Sequence, residues 1–271
     1  MAFGADRPAF GAVALATFAF ALFFLLPFAG LVYRAAQNGD VWRLLSGNVV
    51  RDALVLSLWT STLSTLLAIT FGTAAAYLLA RSSFPGKSLV DAIIDLPIVL
   101  PPTVAGVALL TAFGRRGLIG QPIDDWFGFT FGFSTLAVIM AQLLVASPFY
   151  VRAAKGGFES IDPQMTRVAY TLGASRTRTF FQVVLPQTWP ALLAGIVLCW
   201  SRAMGELGAT LIFAGNLQGR TQTMPLAIIQ AFEGTSLGLD GAIALSLVLL
   251  AVALAVLVLF RVFTRHAITM G

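Results

Sequence analysis

The stretch GAIALSLVLLAVALAVLVLF, residues 241–260, decides the fold class: it is twenty residues long and contains neither a charge nor a proline. At about 1.5 Å of rise per residue it makes a helix about 30 Å long, the thickness of a bilayer's hydrocarbon core. A barrel strand would alternate apolar and polar positions over about ten residues, and this run does neither. Four more uncharged runs of comparable length precede it, at residues 9–33, 53–80, 96–114 and 127–151, the last helical from near Ser134. Residues 179–219 are apolar apart from Arg202 and Glu206. The expected helix there starts at Pro190 with Thr188 as N-cap and leaves at Asn216 and Gly219. The reading is an all-α polytopic membrane protein of six transmembrane helices, one integral membrane domain over residues 1–271.

Composition agrees. Of 271 residues 58% are hydrophobic and 11% charged, and mean hydropathy is +0.87. A soluble domain is about 25% charged. The net charge of +5 is scattered between apolar runs, which points to membrane topology and not to nucleic acid. One cysteine, Cys199, and one histidine, His266, exclude a disulfide framework and a Cys or His metal cluster. Gly86-Lys87-Ser88 imitates the end of a phosphate-binding loop, but Arg81 stands where that loop needs glycine. With no hydrolase or metalloprotease motif elsewhere, the chain reads as neither an enzyme nor a cofactor carrier.

Six loop arginines fall on one side of the six-span topology: Arg34, Arg43, Arg51, Arg115, Arg116 and Arg220. Ten basic residues fall on the other, Arg7, Arg81, Arg152 and Lys155 among them. The richer side is expected to be cytoplasmic, with both termini there. The first run follows Arg7 but far exceeds the 7–15 apolar residues of a signal peptide, so it reads as a retained span.

Residues 155–188 lie on that cytoplasmic side and carry a helical pattern of their own. Asp162-Pro163 is an N-cap followed by proline at N1. Met165, Val168, Ala169 and Leu172 recur as one apolar stripe. Gly173 stands where a left-handed residue ends a helix. Ser175 caps a second helix that carries Phe180, Phe181 and Val184 and stops before Pro186. Two roles are open for this helix–turn–helix. It could lie on lipid with Arg176 and Arg178 at the headgroups, or it could dock a protein partner.

Arg202 and Glu206 sit at i, i+4 on one helix face, close enough to pair. Charges at membrane depth face a bundle interior or an aqueous cavity. The pair either sets helix packing or lies by a translocation path or gate. Asp95, Pro97, Pro101 and Pro102 pose a similar choice. The prolines predict a kink or break, which at membrane depth is tolerated inside protein or along a cavity. Otherwise Asp95 is an N-terminal carboxylate and the prolines occupy an ordinary first turn. Gly195, Gly205, Gly208 and Ala209 suit close helix packing.

The spacing of Ala169, Gly173 and Val183-Val184-Leu185-Pro186 resembles the cytoplasmic "EAA" loop of ABC-importer permease subunits, as does Thr171-Leu172-Gly173-Ala174-Ser175. The Glu-Ala-Ala positions read Arg167-Val168-Ala169, a cation for a carboxylate, so an acidic residue is expected to face Arg167 on the partner. Ser201-Arg202-Ala203-Met204-Gly205-Glu206-Leu207-Gly208-Ala209-Thr210 is similar to permeases of molybdate importers, with tungstate and sulfate permeases less fully matched. So are Phe213-Ala214-Gly215-Asn216, Gly219 to Leu226, and Asp95 to Gly106. The resemblance covers residues 50–262 and implies a permease core there, with the type I ABC-importer permease fold. It implies a coupling loop over residues 155–188, including Arg167, Val168, Ala169, Leu172, Gly173, Ala174, Ser175, Leu185 and Pro186. The implied assembly is a homodimer in the plasma (inner) membrane with two cytoplasmic ABC ATPases and an extracytoplasmic oxyanion-binding protein. The implied cargo is molybdate, with tungstate or sulfate as alternatives. An ion-coupled secondary transporter is the alternative from another class.

Overall fold

The computed structural model describes residues 7–37, 39–45, 47–234 and 238–269, and among these every regular element is helical. The side chains of Arg7, Arg261, Arg265 and His266 lie outside the described residues. Helices α1 (Arg7–Gln37) and α2 (Gly39–Leu44) lead into the long α3 (Asn48–Arg81). Next come α4 (Lys87–Val99), α5 (Pro102–Phe113), the short α6 (Gly120–Phe127) and α7 (Thr135–Glu159). Helix α7 starts beside Ser134 as expected, and Ser134 caps it, its hydroxyl accepting from Ala137 N. The second half holds α8 (Pro163–Thr171), α9 (Arg176–Thr179), a π-helical turn (Phe180–Val184), α10 (Leu185–Met204), α11 (Gly208–Ala214), α12 (Met224–Phe232) and α13 (Gly238–Thr269).

Five helices are long and apolar enough to cross a membrane, and a sixth crossing is counted if the bent pair α4–α5 is one span. That pair is the kink or break that the prolines predict in the third span over residues 96–114, and its first half starts earlier than expected, at Lys87. The chain bends by 118° between its halves. Leu100 and Pro101 each precede a proline, and both are driven to extended backbone, with ψ of 138° and 134°. Pro102 then opens α5. At 12 residues, α5 is about 18 Å long and cannot span the core alone.

The fifth span needs two corrections. Its helix does not stop before Pro186 and restart at Pro190 with Thr188 as cap. It runs without interruption from Arg176 to Met204. Pro186 has no N–H, and its ring would crowd the carbonyl one turn back in a regular helix. The π-helical turn Phe180–Val184 just ahead of it, closed by Leu185 N donating to Phe180 O, widens the backbone there. Thr188 is therefore inside the helix, and its Oγ1 donates to Val184 O at 2.6 Å. The span then breaks at Gly205 instead of continuing to Gly219, and α11 follows as a separate short helix.

Helices α3, α7 and α10 form the centre of the bundle. Lipid tails are as apolar as leucine, so close approach of small residues does the packing. A Cβ on Gly72 would lie 3.0 Å from Val151 Cγ2, and one on Gly195 2.9 Å from Ala153 Cβ. Between α5 and α11 the fit is tighter. A Cβ on Gly106 would meet Ile212 Cβ at 2.8 Å and Ala209 Cα at 2.9 Å. Gly106→Val is therefore expected to force α5 off α11, at about 1–3 kcal/mol for an overpacked site. The thermal melting temperature of the purified protein should drop clearly. An unchanged melting temperature would mean that the two helices separate freely.

Candidate functional site

The segment after α7 folds as its local sequence directs. Asp162 caps α8 by accepting from Gln164 N at 2.8 Å. Gly173 has a φ of +81°, the left-handed conformation that glycine adopts without steric cost. Gly173 N donates to Tyr170 O and Ala174 N to Ala169 O, both at 3.0 Å, the paired bonds of a Schellman ending. Ser175 caps α9, its hydroxyl accepting from Arg178 N at 3.2 Å. Val168 is 56% exposed and Leu172 82% exposed, and Met165 shares their face, so among the described residues nothing covers these three, while Ala169 of the same stripe is half-buried. Arg167 is also exposed, whereas Ala174 and Leu185 are half-buried, Leu185 against the core around Tyr150 and Phe158.

Arg202 and Glu206 do pair. Arg202 Nη1 lies 2.6 Å from Glu206 Oε2, with Arg202 29% and Glu206 1% exposed. Glu206 stands in the break between two helices. It receives Arg202 from the last turn of α10, and its Oε1 accepts from Ala209 N in the first turn of α11 at 2.9 Å. One carboxylate thus clasps both sides of the break, and its negative charge suits the N-terminus of α11.

The α4–α5 break abuts the α10–α11 break. A Cβ on Gly208 would lie 2.8 Å from Pro102 Cβ and 3.3 Å from Thr103 N. The structure therefore brings Pro101-Pro102 to the Arg202–Glu206 junction, two irregular stretches side by side. Asp95 and Pro97 are elsewhere. Asp95 is not a first-turn carboxylate: it sits well inside α4 and takes both Arg152 Nε and Nη2 at 2.8 Å. Lys155 Nζ reaches Asp91 Oδ2 at 2.6 Å, so two ion pairs tie α4 to α7. With Arg152 64% exposed, water screens the pair it makes. Pro97 lines an apolar cavity of about 320 Å³ with Gly72, Pro148 and Val151.

Sequence reasoning missed two features. It counted Arg152 and Lys155 only as topology charges, although Asp91 and Asp95 are spaced i, i+4 and could have announced a paired helix. It also passed over the buried polar stripe of α3. Ser57 accepts from Met224 N at 2.7 Å, and Ser64 bonds Gln142 Oε1 at 3.2 Å and Ile139 O at 3.1 Å. The available signal was serine at 57, 61 and 64, one helix face inside an apolar run.

Comparison with known proteins places this architecture. The family model described as "Binding-protein-dependent transport system inner membrane component" matches residues 68–268. The molybdenum transport system permease protein ModB of Escherichia coli (strain K12) is 42% identical over 203 residues, 75% of this chain and 88% of that protein. The probable sulfate transport system permease protein cysT of Chlorokybus atmophyticus is 37% identical over 216 residues, 78% of this chain and 75% of that protein. Among solved structures, a bacterial ABC transporter involved in the import of the acidic polysaccharide alginate has a chain that superposes with a TM-score of 0.75. It is 18% identical and the match covers 95% of each chain, a likeness of fold.

Proposed function

The chain belongs to the family of binding-protein-dependent transport system inner membrane components, and from that premise we propose that it is the permease subunit of an ABC importer for molybdate. The observation that carries the cargo is its 42% identity to a permease named for molybdenum transport over most of both chains. Membership of a binding-protein-dependent family leaves an ion-coupled secondary mechanism without support.

In this reading the chain is the permease core and supplies the path, while a partner supplies ATP hydrolysis. The exposed stripe Met165, Val168 and Leu172 is an apolar surface for two cytoplasmic ABC ATPases to grip, one on each protomer of a homodimer. Residues 155–188 are the coupling loop. ATPase closure moves α8 and α9, and the unbroken helix from Arg176 to Met204 carries that motion to the Arg202–Glu206 junction as a rigid body. An extracytoplasmic oxyanion-binding protein delivers the anion on the opposite side. The paired breaks around Pro102 and Gly208 are the proposed wall or gate of the path, and the clasp at Glu206 holds their geometry. Counting α4–α5 as one crossing makes the number of spans even, which with the loop-charge bias supports both termini in the cytoplasm.

The test is co-purification with the ATPase, followed by ATP hydrolysis in the presence of binding protein loaded with molybdate, tungstate or sulfate. Stimulation by the molybdate-loaded protein well above the sulfate-loaded one is expected. Stimulation by sulfate alone would transfer the assignment to a sulfate importer, for which the 37% identical relative is the precedent. Failure to recover any ATPase would sink the importer reading.

A further inference from the structure

A cavity of about 740 Å³ opens between the C-terminal end of α3 and the segment formed by α8 and α9. Two guanidiniums line it, Arg81 and Arg176, and among the described residues no carboxylate does. Arg81 Nη2 donates to Ile161 O at 3.3 Å, but its Nε is buried and has no hydrogen-bond partner among the described residues. The hydroxyls of Ser82, Tyr170 and Thr177 line the same space and make no side-chain hydrogen bond among the described residues. Helix α8 presents two different faces. Met165, Val168 and Leu172 are exposed on one, while Tyr170 lines the cavity from another. An occupant would therefore lie beneath α8 without covering its apolar stripe.

We infer that this cavity binds a tetrahedral oxyanion group, either a free anion or the phosphate of an anionic phospholipid. A buried N–H of a permanent cation with no acceptor is costly. Guanidinium forks match two oxygens of phosphate-like groups, and the uncommitted hydroxyls can donate to the others. Among the described residues no acidic side chain in the wall competes for the arginines. The far wall is built by Thr70 and Ala74 on the apolar stretch of α3, which gives a lipid's acyl chain a surface to follow. The site is separate from the translocation path proposed above, and its test reads binding, not transport.

The full-length chain is purified in nanodiscs, of neutral phosphatidylcholine alone or with phosphatidylglycerol. Binding of radiolabelled inorganic phosphate is measured by equilibrium dialysis in the neutral discs, and retained phosphatidylglycerol by native mass spectrometry in the mixed discs. Arg81→Gln also loses the bond to Ile161 O, so Arg176→Gln, whose side chain is exposed, is the variant that leaves the fold intact. Its melting temperature is measured alongside. Losing a charged hydrogen bond should weaken binding about tenfold or more, and Arg176→Lys should restore part of it. Phosphate binding in neutral discs that falls in both Gln variants identifies a free-anion site. Phosphatidylglycerol retention alone that falls in both identifies a headgroup site. Binding of neither probe, or equal binding by wild type and both Gln variants, overturns the inference.

Discussion

Arg202→Gln is expected to cut the yield of assembled protein severely, because it leaves the Glu206 carboxylate, only 1% exposed, without its counter-ion. Removing one partner of a buried pair costs about 3–5 kcal/mol. The effect should be asymmetric. Glu206→Gln keeps an oxygen that can accept from Ala209 N, and it leaves the unpaired charge on Arg202, which at 29% exposure can turn toward water. Its expected cost is about 1.5–3 kcal/mol, that of a charged hydrogen bond. From the i, i+4 spacing alone, the swap Arg202→Glu with Glu206→Arg should recover part of the loss. The structure predicts no recovery. A guanidinium at 206 would have to enter a buried, carboxylate-sized space and face the Ala209 N–H, donor against donor. Yield by fluorescence-detected size exclusion and molybdate uptake are to be measured separately for all three variants. Normal yield with poor uptake in Arg202→Gln would assign the arginine to the passing anion. Normal yield and uptake would show a solvated side chain with no role in the clasp.

Gly173→Val should leave the membrane bundle folded and abolish most transport. A Cβ at Gly173 meets nothing within 4 Å, so the substitution brings no clash. The cost is the φ of +81°, about 1–2 kcal/mol for a residue with a Cβ and worst for a β-branched one. That strain acts on the two Schellman bonds that set α8 against α9. Melting temperature should stay near wild type, while ATPase association and uptake fall about tenfold, as roughly 1.4 kcal/mol implies. Gly173→Asn, which tolerates the left-handed region, should keep most of both. Normal association and uptake in the valine variant would remove the coupling role from this turn.

The caps and turns were legible because each is decided within a few residues. Asp162, Ser175 and Gly173 all do what their neighbours in sequence call for. Thr188, Pro186 and Pro190 were misjudged for the opposite reason. A proline's local cost predicts a helix end, but in lipid every freed backbone group must find a partner. Continuing the helix through one widened turn satisfies more of them than stopping. Asp95 was misplaced because its partner, Arg152, is 57 residues away.

By itself the sequence determined that this is a helical membrane protein with a capped helix–turn–helix between its fourth and fifth apolar segments. Runs of about 20 uncharged residues admit no other backbone that satisfies its hydrogen bonds in a bilayer. Tertiary structure alone decided that the Pro101-Pro102 break meets the Gly205–Gly208 break, that Glu206 clasps two helices, and that Arg81 and Arg176 share a cavity. Those meetings depend on how closely helix backbones approach at Gly72, Gly106, Gly195 and Gly208, and a glycine's sequence neighbours do not say which helix will lie against it.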